Sequence, residues 1–229
     1  MIAISQSSNS FYYLAWIPSE SGPLVTRFGE ITTHEEINFK TKFPHNIFQQ
    51  IINKLSLEDE PRFTLSLDSQ NIFISSSNLN SLDFIDWQKK QSTNNSFSEI
   101  YDTFSYPFFD DKELLNIHFN KHLKSNIIDS IESVNGELRS INIGIFSAEI
   151  GARKWFKASN YKTYAIWKMG KNSNDQILVT RNTEFQCLLN IRRTKSKVSL
   201  TSCNGSLELG KIIINQIESL VSTDLNEVR

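Results

Sequence analysis

Glycine and cysteine are both scarce in this sequence. Only 8 of the 229 residues are glycine, and loops that cradle phosphate groups need glycine because their backbone approaches the ligand closely. The scarcity therefore counts against a glycine-rich phosphate loop. The 2 cysteines, Cys187 and Cys203, have no C-x-x-C spacing. They do not make a disulfide framework, so a reducing compartment is the simpler interpretation.

The sequence also lacks a charge excess and a long apolar run. The 24 lysines and arginines nearly balance the 25 aspartates and glutamates, for a formal net charge of −1. This gives no bulk electrostatic reason to expect nucleic acid or an anionic membrane as a partner. No apolar run approaches the ~20 residues of a membrane helix, and the start, MIAISQSS, does not resemble a signal peptide. We therefore expect a cytoplasmic protein without a membrane-inserted segment.

The apolar residues that are present suggest two similar three-strand meanders. In the first, the predicted strands are Ile2–Ile4, Phe11–Ile17 and Leu24–Phe28, joined by turns at Ser5–Ser10 and Pro18–Pro23. In the second they are Tyr164–Trp167, Gln176–Thr180 and Phe185–Ile191, joined by turns at Lys168–Asp175 and Arg181–Asn182. Short apolar runs between polar clusters are typical of such meanders. Their recurrence after about 160 residues suggests a duplicated unit.

The remaining segments predict helices and further strands, and so a mixed α/β fold. Helical spacing of apolar residues predicts helices at Ile47–Leu55, Ser81–Lys90, Lys121–Val134, Ala148–Trp155 and Leu207–Val221, the third ended by Asn135-Gly136. Alternating or short apolar runs predict strands at Arg62–Leu67, Ile72–Ser75, Glu113–Phe119, Leu138–Ile145 and Thr194–Asn204, and Gln91–Ser98 is a predicted loop. With 39% hydrophobic residues, the chain can bury a core as one large domain or two small ones.

An aromatic segment, Tyr101–Phe109, is the candidate partner surface. Its aromatic residues are Tyr101, Phe104, Tyr106, Phe108 and Phe109. A strand that packs into the core is the simplest interpretation. A ligand platform and a protein contact surface are the alternatives, because aromatic side chains carry much of the energy of interfaces.

Other patterns that carry chemistry are weak. His34, His45, His118 and His122 are scattered, and His118 and His122 straddle a predicted strand–helix boundary, which disfavours a metal pair. Ser147 lies in FSAE, which is not a nucleophile elbow. The acidic neighbours Glu35–Glu36 and Asp110–Asp111 do not face each other on a helix or strand. The basic run Arg192–Lys197 is interpreted as a solvated loop, with an acidic partner as the alternative. We expect no catalytic residue and no metal site.

The order of these elements resembles the actin-like fold of the sugar kinase, Hsp70 and actin superfamily. Within it, the chain is most similar to the PilM proteins of type IV pilus assembly and to the cytoplasmic domain of GspL of type II secretion. The run ELLNIHFNKHLKSNIIDSIESVNGELRSINIGIFSA resembles the strand–helix–strand segment that leads into the second half of these proteins. The resemblance implies duplicated RNase H-like mixed sheets with covering helices, and an apparently incomplete second half. It divides the chain into residues 1–98, 99–146 and 147–229.

The resemblance also shows where nucleotide contacts are degenerate. Active members have an Asp-x-Gly turn after the first strand of each half, whose N–H groups hold phosphate and whose carboxylates hold the metal. Here the corresponding residues are Ser5-Gln6-Ser7 and Lys168-Met169-Gly170. Ser5, Ser7 and Lys168 replace the family's residues, and Gly170 retains one. We therefore expect no nucleotide, cofactor or metal. A solvated lysine is favoured at Lys168, with a metal-free anion site as the alternative.

The resemblance implies a non-enzymatic scaffold that docks partner proteins at a membrane-associated pilus or secretion machine. The expected partner is an extended peptide of a bitopic membrane protein, or a secretion or pilus ATPase, which would recruit the chain to the inner membrane. A homodimer stays open, and nucleic acid is not expected. The principal contact is predicted around Tyr101–Ile145. The alternative function is a nucleotide-binding actin-like ATPase or kinase-type switch with atypical phosphate contacts.

Overall fold

The computed structural model describes residues 1–33, 42–56, 60–69, 72–79, 86, 95–108, 112–170, 174–194 and 197–227. The strands are β1 (Ile2–Ser7), β2 (Ser10–Ser19), β3 (Gly22–Thr32), β4 (Arg62–Leu67), β5 (Phe73–Asn78), β6 (Tyr101–Phe108), β7 (Glu113–Asn120), β8 (Glu137–Ile143), β9 (Thr163–Lys168), β10 (Asn174–Arg181), β11 (Glu184–Arg193) and β12 (Val198–Gly205). The helices are α1 (Ile47–Leu55), α2 (Asn95–Ile100), α3 (Lys121–Glu132), α4 (Gly144–Trp155) and α5 (Leu207–Glu227), with a short 3-10 helix at Ala158–Asn160.

The first sheet is five-stranded, in the order β3-β2-β1-β4-β8. Strands β1, β2 and β3 form the antiparallel meander that the sequence predicts. Strand β4 is parallel to β1, and β8 is parallel to β4. Parallel neighbours need long crossover connections, and α1 lies in the connection from β3 to β4. Alternation places Ile2 and Ile4 in the core and leaves Ser5 exposed.

Aromatic packing joins α1 to this sheet. The ring centroids of Phe43 and Phe48 are 5.4 Å apart, and those of Phe48 and Phe63 are 4.9 Å apart. Phe43 also meets Phe11 of β2 edge-on at 5.4 Å. All four rings are buried, so α1 buries the apolar face that its residue spacing predicts.

The second sheet is four-stranded, in the order β12-β11-β10-β9, and every pair is antiparallel. Its core combines strand residues such as Ile177, Val179 and Leu189 with Ile214 of α5. Strand β9 corresponds to β1 as the first strand of its meander. Within the described residues β9 is an edge strand without a parallel neighbour. Among the described strands, the second sheet therefore lacks the parallel neighbours that β4 and β8 give the first, and the predicted mixed α/β class is confirmed.

A third sheet has three strands, in the order β5-β7-β6. The chain forms two compact units, and both are built from discontinuous segments. One contains residues 1–73, 94–104 and 118–147, and the other contains residues 74–93, 105–117 and 148–229. The predicted division into residues 1–98, 99–146 and 147–229 stays a prediction.

Several predicted boundaries were wrong. The turn predicted at Ser5–Ser10 is a two-residue connection at Ser8-Asn9, because Ser7 still pairs with Ser10 across the hairpin. The predicted loop Gln91–Ser98 overlaps α2, which begins at Asn95, and α4 begins at Gly144 instead of Ala148. The predicted helix Ser81–Lys90 lies outside the described residues except for Asp86. Within the part of the chain that is described, no helix is long and apolar enough to cross a membrane.

Two glycines lead to opposite predictions for an added methyl group. Gly205 has φ +93°, and a Cβ there would collide with the carbonyl oxygen of Gln186. Gly205→Ala should therefore lower the free energy of unfolding by about 2–3 kcal/mol. Gly151 lies inside α4, and a Cβ there would meet nothing within 4 Å. Gly151→Ala should raise that free energy by about 0.5–1 kcal/mol.

Urea titration of both variants measures these changes. The two substitutions add the same group, so each is the matched control for the other. Destabilisation by Gly151→Ala, or a neutral Gly205→Ala, would contradict the packing of these glycines.

Candidate functional site

Strand β6 displays two of the predicted aromatic residues to solvent. Phe104 is 49% exposed and Tyr106 is 54% exposed, whereas Phe108 is buried and packs edge-on against Phe185 at 5.0 Å. Tyr101 is half-buried, and Phe109 lies outside the described residues. Part of the segment therefore packs into the core, and part of it is exposed and available for contact with a partner.

The alternate residues of β6 are polar and bind the neighbouring strand. The hydroxyl of Thr103 lies 3.0 Å from Nδ1 of His118. The hydroxyl of Ser105 donates to Oδ1 of Asn116 at 2.7 Å, and the amide of Asn116 donates to Ser77 at 2.8 Å. Because successive strand residues point to opposite faces, Phe104 and Tyr106 lie on the face away from these bonds. The polar contacts hold β6 in place, and its aromatic face stays free of them.

His118 lies at the centre of an aromatic cluster. Its ring stacks on Phe73 at 4.7 Å and meets Phe97 at 5.0 Å, and Tyr101 lies edge-on at 6.5 Å. Burial lowers the pKa of His118 below its ordinary value, because the charged ring would lose its hydration. The ring is therefore neutral at neutral pH, packs among these aromatic side chains and contacts the hydroxyl of Thr103.

A small cleft lies beside this cluster. Its lining residues are Ile72, Phe73, Tyr101, His118, Phe119, Asn120 and Leu123. The cavity volume is about 40 Å³, whereas small-molecule sites are typically about 300–1,000 Å³. The cleft has room for about one water molecule and is too small for a nucleotide.

The turn beside the first predicted phosphate position, at Ser5 and Ser7, is bonded to a side chain of the chain itself. Ser5 and Ser7 lie in β1, and the hairpin turn follows them at Ser8, which has φ +53°. The backbone N–H of Ser8 donates to Oδ2 of Asp68 at 3.2 Å. The N–H of Asp68 in turn donates to the side chain of Gln6 at 3.4 Å, and Asp68 is buried. The N–H of this turn therefore already has an acceptor within the chain.

The turn at the second predicted phosphate position, Lys168 and Gly170, is also bonded to an aspartate of the chain. Lys168 is the last residue of β9, and Gly170 lies just after it. The N–H of Gly170 donates to Oδ1 of Asp175 at 2.9 Å. The side chains of Trp167 and Arg193 donate to Oδ2 of Asp175 at 3.0 Å and 2.8 Å. The Asp175 carboxylate is fully buried.

Sequence reasoning missed Asp68 and Asp175. Asp175 stands directly before the apolar run Gln176–Thr180, and an acidic residue at the start of a buried strand is a signal that it needs partners. Part of the predicted basic loop is one of those partners, because Arg193 binds Asp175. Among the residues with described positions, no group of three or more His, Cys, Asp or Glu side chains could hold a metal ion.

The buried His118 leads to a prediction of acid sensitivity. Because its folded-state pKa lies below the ordinary value of about 6.5, the neutral ring favours folding above that pH. This contribution is lost as the pH falls through the folded-state pKa. Urea unfolding at several pH values should show this loss in the unmodified protein and a smaller loss in His118→Phe, which keeps an aromatic ring but cannot be protonated. The same pH dependence in both proteins would refute this origin.

Comparisons with known proteins find similarity in structure but not in sequence. No protein-family model matches the sequence, and no curated protein matches it significantly. Among solved structures, the PilM–PilN type IV pilus biogenesis complex matches with a TM-score of 0.60 at 7% identity. The match covers 82% of this chain and 60% of that chain. This chain therefore spans less than two thirds of the PilM–PilN chain that it matches.

A second match is the cytoplasmic domain of EpsL, an inner membrane component of the type II secretion system of Vibrio cholerae. Its TM-score is 0.54 at 8% identity, and the match covers 83% of this chain and 70% of that chain. A Bacteroides thetaiotaomicron protein with an actin-like ATPase fold matches at a TM-score of 0.45 and 9% identity, over 98% of this chain and 76% of that one. The PilM–PilN and EpsL matches have the higher TM-scores and define the resemblance. The chain has an actin-like fold that resembles PilM and the cytoplasmic domain of EpsL.

Proposed function

We propose that this chain is a non-enzymatic docking module, which binds partner proteins at a membrane-associated pilus or secretion machine. One observation carries the proposal. The N–H groups of Ser8 and Gly170, in the turns after the first strand of each meander, donate to Asp68 and Asp175 of the chain itself. Because these N–H groups are already used within the chain, a role in binding other proteins fits the fold better than a role in binding phosphate.

The electrostatics of the two turns support the absence of nucleotide binding. A phosphate group at either turn would have to displace a carboxylate that is already bonded, and would be repelled by it at short range. Displacing Asp175 would also leave Trp167 and Arg193 without their acceptor. Lys168 supplies a cation where the family has a carboxylate, and a cation repels Mg²⁺.

The edge of the three-stranded sheet supports an extended peptide as the partner. Strand β6 has β7 on one side, and no described strand pairs with its other side. A free edge can accept a strand from another chain through backbone hydrogen bonds, while side chains supply specificity. Phe104 and Tyr106 provide exposed aromatic area. Pro107 has no N–H to donate to an added strand, so a peptide would pair with residues 101–106 of β6.

The matched structures suggest where such docking occurs. One is a complex of PilM with PilN, and the other belongs to an inner membrane component of a secretion system. By analogy, the partner of this chain is a segment of a bitopic membrane protein or a pilus or secretion ATPase. That partner would hold the chain at the cytoplasmic side of the inner membrane. The alternative, a nucleotide-dependent switch of the same fold, needs phosphate contacts unlike those of its relatives.

Titration with ATP and Mg²⁺ distinguishes the docking module from the nucleotide-dependent switch. We expect no heat of binding and no change in melting temperature at millimolar nucleotide, because both turn sites are filled by carboxylates. A ligand at a hundredfold excess over its Kd would stabilise the protein by ~2.7 kcal/mol, which is easily detected. Lys168→Asp alone should not produce hydrolysis, because Asp68 still occupies the first turn.

The result that would favour the alternative is micromolar, Mg²⁺-dependent binding. The variant Asp68→Ala then shows whether ATP binds at the first turn or elsewhere. Tighter ATP binding in that variant would mean that the carboxylate competes with phosphate at the first turn.

Substitutions on β6 test the docking surface. Synthetic peptides with the N-terminal segments of bitopic proteins encoded beside this gene are suitable probes. Phe104→Ala and Tyr106→Ala should each weaken peptide binding by about tenfold or more, because exposed aromatic residues often dominate binding energy. Neither should lower the melting temperature. Fluorescence anisotropy of the labelled peptide measures the change.

Two controls accompany this experiment. Phe28 of β3 is also exposed, so Phe28→Ala should leave binding unchanged. Phe108 is buried, so Phe108→Ala should destabilise the protein by about 3–5 kcal/mol and shows what loss of folding looks like. Unchanged binding by folded Phe104→Ala and Tyr106→Ala would reject β6 as the contact.

A further inference from the structure

The segment from residue 150 to residue 174 is strongly polarised in charge. It contains no aspartate or glutamate, although the whole chain is almost neutral. Its 6 basic residues are Arg153, Lys154, Lys157, Lys162, Lys168 and Lys171. A nearly neutral chain can therefore still have a locally basic surface.

Exposed aromatic residues lie among these basic residues. Trp155 is 69% exposed, Phe156 is 82% exposed and Tyr161 is 66% exposed. Single exposed apolar side chains are ordinary on protein surfaces, but grouped ones mark interaction sites. Three large aromatic side chains within seven residues form such a group. We call Lys154–Lys162 the aromatic–basic loop.

Backbone hydrogen bonds give this loop a defined shape. The N–H of Phe156 donates to Ala152 at 3.0 Å and completes the last turn of α4. Lys157 then adopts a left-handed conformation with φ +53°, which ends the helix. Asn160 donates to Lys157 at 2.9 Å, and Tyr161 donates to Ala158 at 3.0 Å. The aromatic side chains therefore project from an ordered turn, and their exposure does not result from a loose loop.

Ion pairs among the described residues do not neutralise the charge of the loop. Glu149 of α4 is bound by Arg153 at 3.2 Å and by the hydroxyl of Tyr164. Among the described residues, Lys154, Lys157 and Lys162 form no ion pair. The adjacent β10–β11 turn, whose Asn182 donates to the carbonyl of Lys162, adds Arg181 and Glu184, which cancel each other in charge.

We propose that the aromatic–basic loop binds the surface of an anionic phospholipid bilayer. Trp155, Phe156 and Tyr161 enter the headgroup region, and the three lysines contact lipid phosphates. Trp and Tyr favour this interfacial depth because one part of the ring is apolar and another is polar. Lysine stems lie along apolar surface while their ammonium groups reach the phosphates. Each basic residue near an anionic leaflet strengthens binding by about fivefold.

A bilayer fits this loop better than a nucleic acid does. Nucleic-acid sites combine a charged groove that follows the backbone with aromatic platforms on which bases stack. Here the aromatic side chains protrude from the end of a helix. This inference goes beyond the proposed docking role, because the contact is made with lipid and does not require a partner protein.

Vesicle flotation tests the proposal with the complete chain. The protein should float with phosphatidylcholine vesicles that contain one third phosphatidylglycerol, and not with phosphatidylcholine vesicles alone. Raising the salt concentration should weaken the binding, because exposed charges are screened. Trp155→Ala with Phe156→Ala should weaken binding by about tenfold or more, and so should Lys157→Glu with Lys162→Glu.

The matched controls carry the same changes elsewhere on the surface. Phe28→Ala removes another highly exposed aromatic residue, and Lys211→Glu reverses an exposed charge on α5. Neither should change binding. Brominated phospholipids provide a second measurement that needs no disruptive variant. They should quench tryptophan fluorescence in the unmodified protein, and Trp155→Phe should reduce the quenching strongly while the protein still floats.

Three outcomes would overturn the proposal. They are absence of flotation with anionic vesicles, equal flotation of the folded double variants, and absence of quenching. Tight binding of a labelled single-stranded oligonucleotide without flotation would identify a nucleic-acid surface instead. None of these results bears on peptide binding at β6, so failure of this proposal and failure of the docking function remain distinguishable.

Discussion

The second sheet depends on a buried carboxylate, Asp175. It accepts hydrogen bonds from Trp167 of β9, Gly170 after that strand, and Arg193 of β11. Burial alone would raise the pKa of Asp175, but the hydrogen bonds and the charge of Arg193 outweigh it and hold that pKa below its usual range. The carboxylate is therefore anionic, and it connects three parts of the meander. Removing it would leave three donors without an acceptor, which is costly in a buried site.

The first meander reaches a related arrangement by another route. Asp68 follows β4, whereas Asp175 lies in β10, yet each accepts the N–H of a turn after the first strand of its meander. The two carboxylates are therefore not equivalent positions of a duplicated sequence. Their shared effect is to satisfy an N–H that would otherwise be available to an anion. A nucleotide would have to compete with groups that also stabilise the sheets.

Sequence patterns predicted the meanders and the regular helices well, because their burial follows simple periodicities. Turn boundaries were harder. Ser5–Ser10 has turn-forming composition, but backbone pairing continues to Ser7 and Ser10 and only two residues turn. The surroundings of His118 were unpredictable for a different reason, since Phe73 comes from one segment of the chain and Phe97 and Tyr101 come from another. For β6, composition identified an aromatic strand, but it could not show that Phe108 packs against Phe185 and is buried whereas Phe104 is exposed.

Charge shows the same dependence on context. The run Arg192–Lys197 is the densest basic stretch of the sequence, yet the structure places Arg193 against Asp175. The stretch from residue 150 to residue 174 is less dense, but the one acidic residue just before it, Glu149, is already bound by Arg153 and Tyr164. Among the described lysines of this stretch, Lys154, Lys157 and Lys162 are exposed, form no ion pair and lie close in sequence to exposed aromatic rings. What a basic residue does at a surface is decided by the acidic groups within reach of it, because Coulomb energy falls with distance and solvent screens the rest.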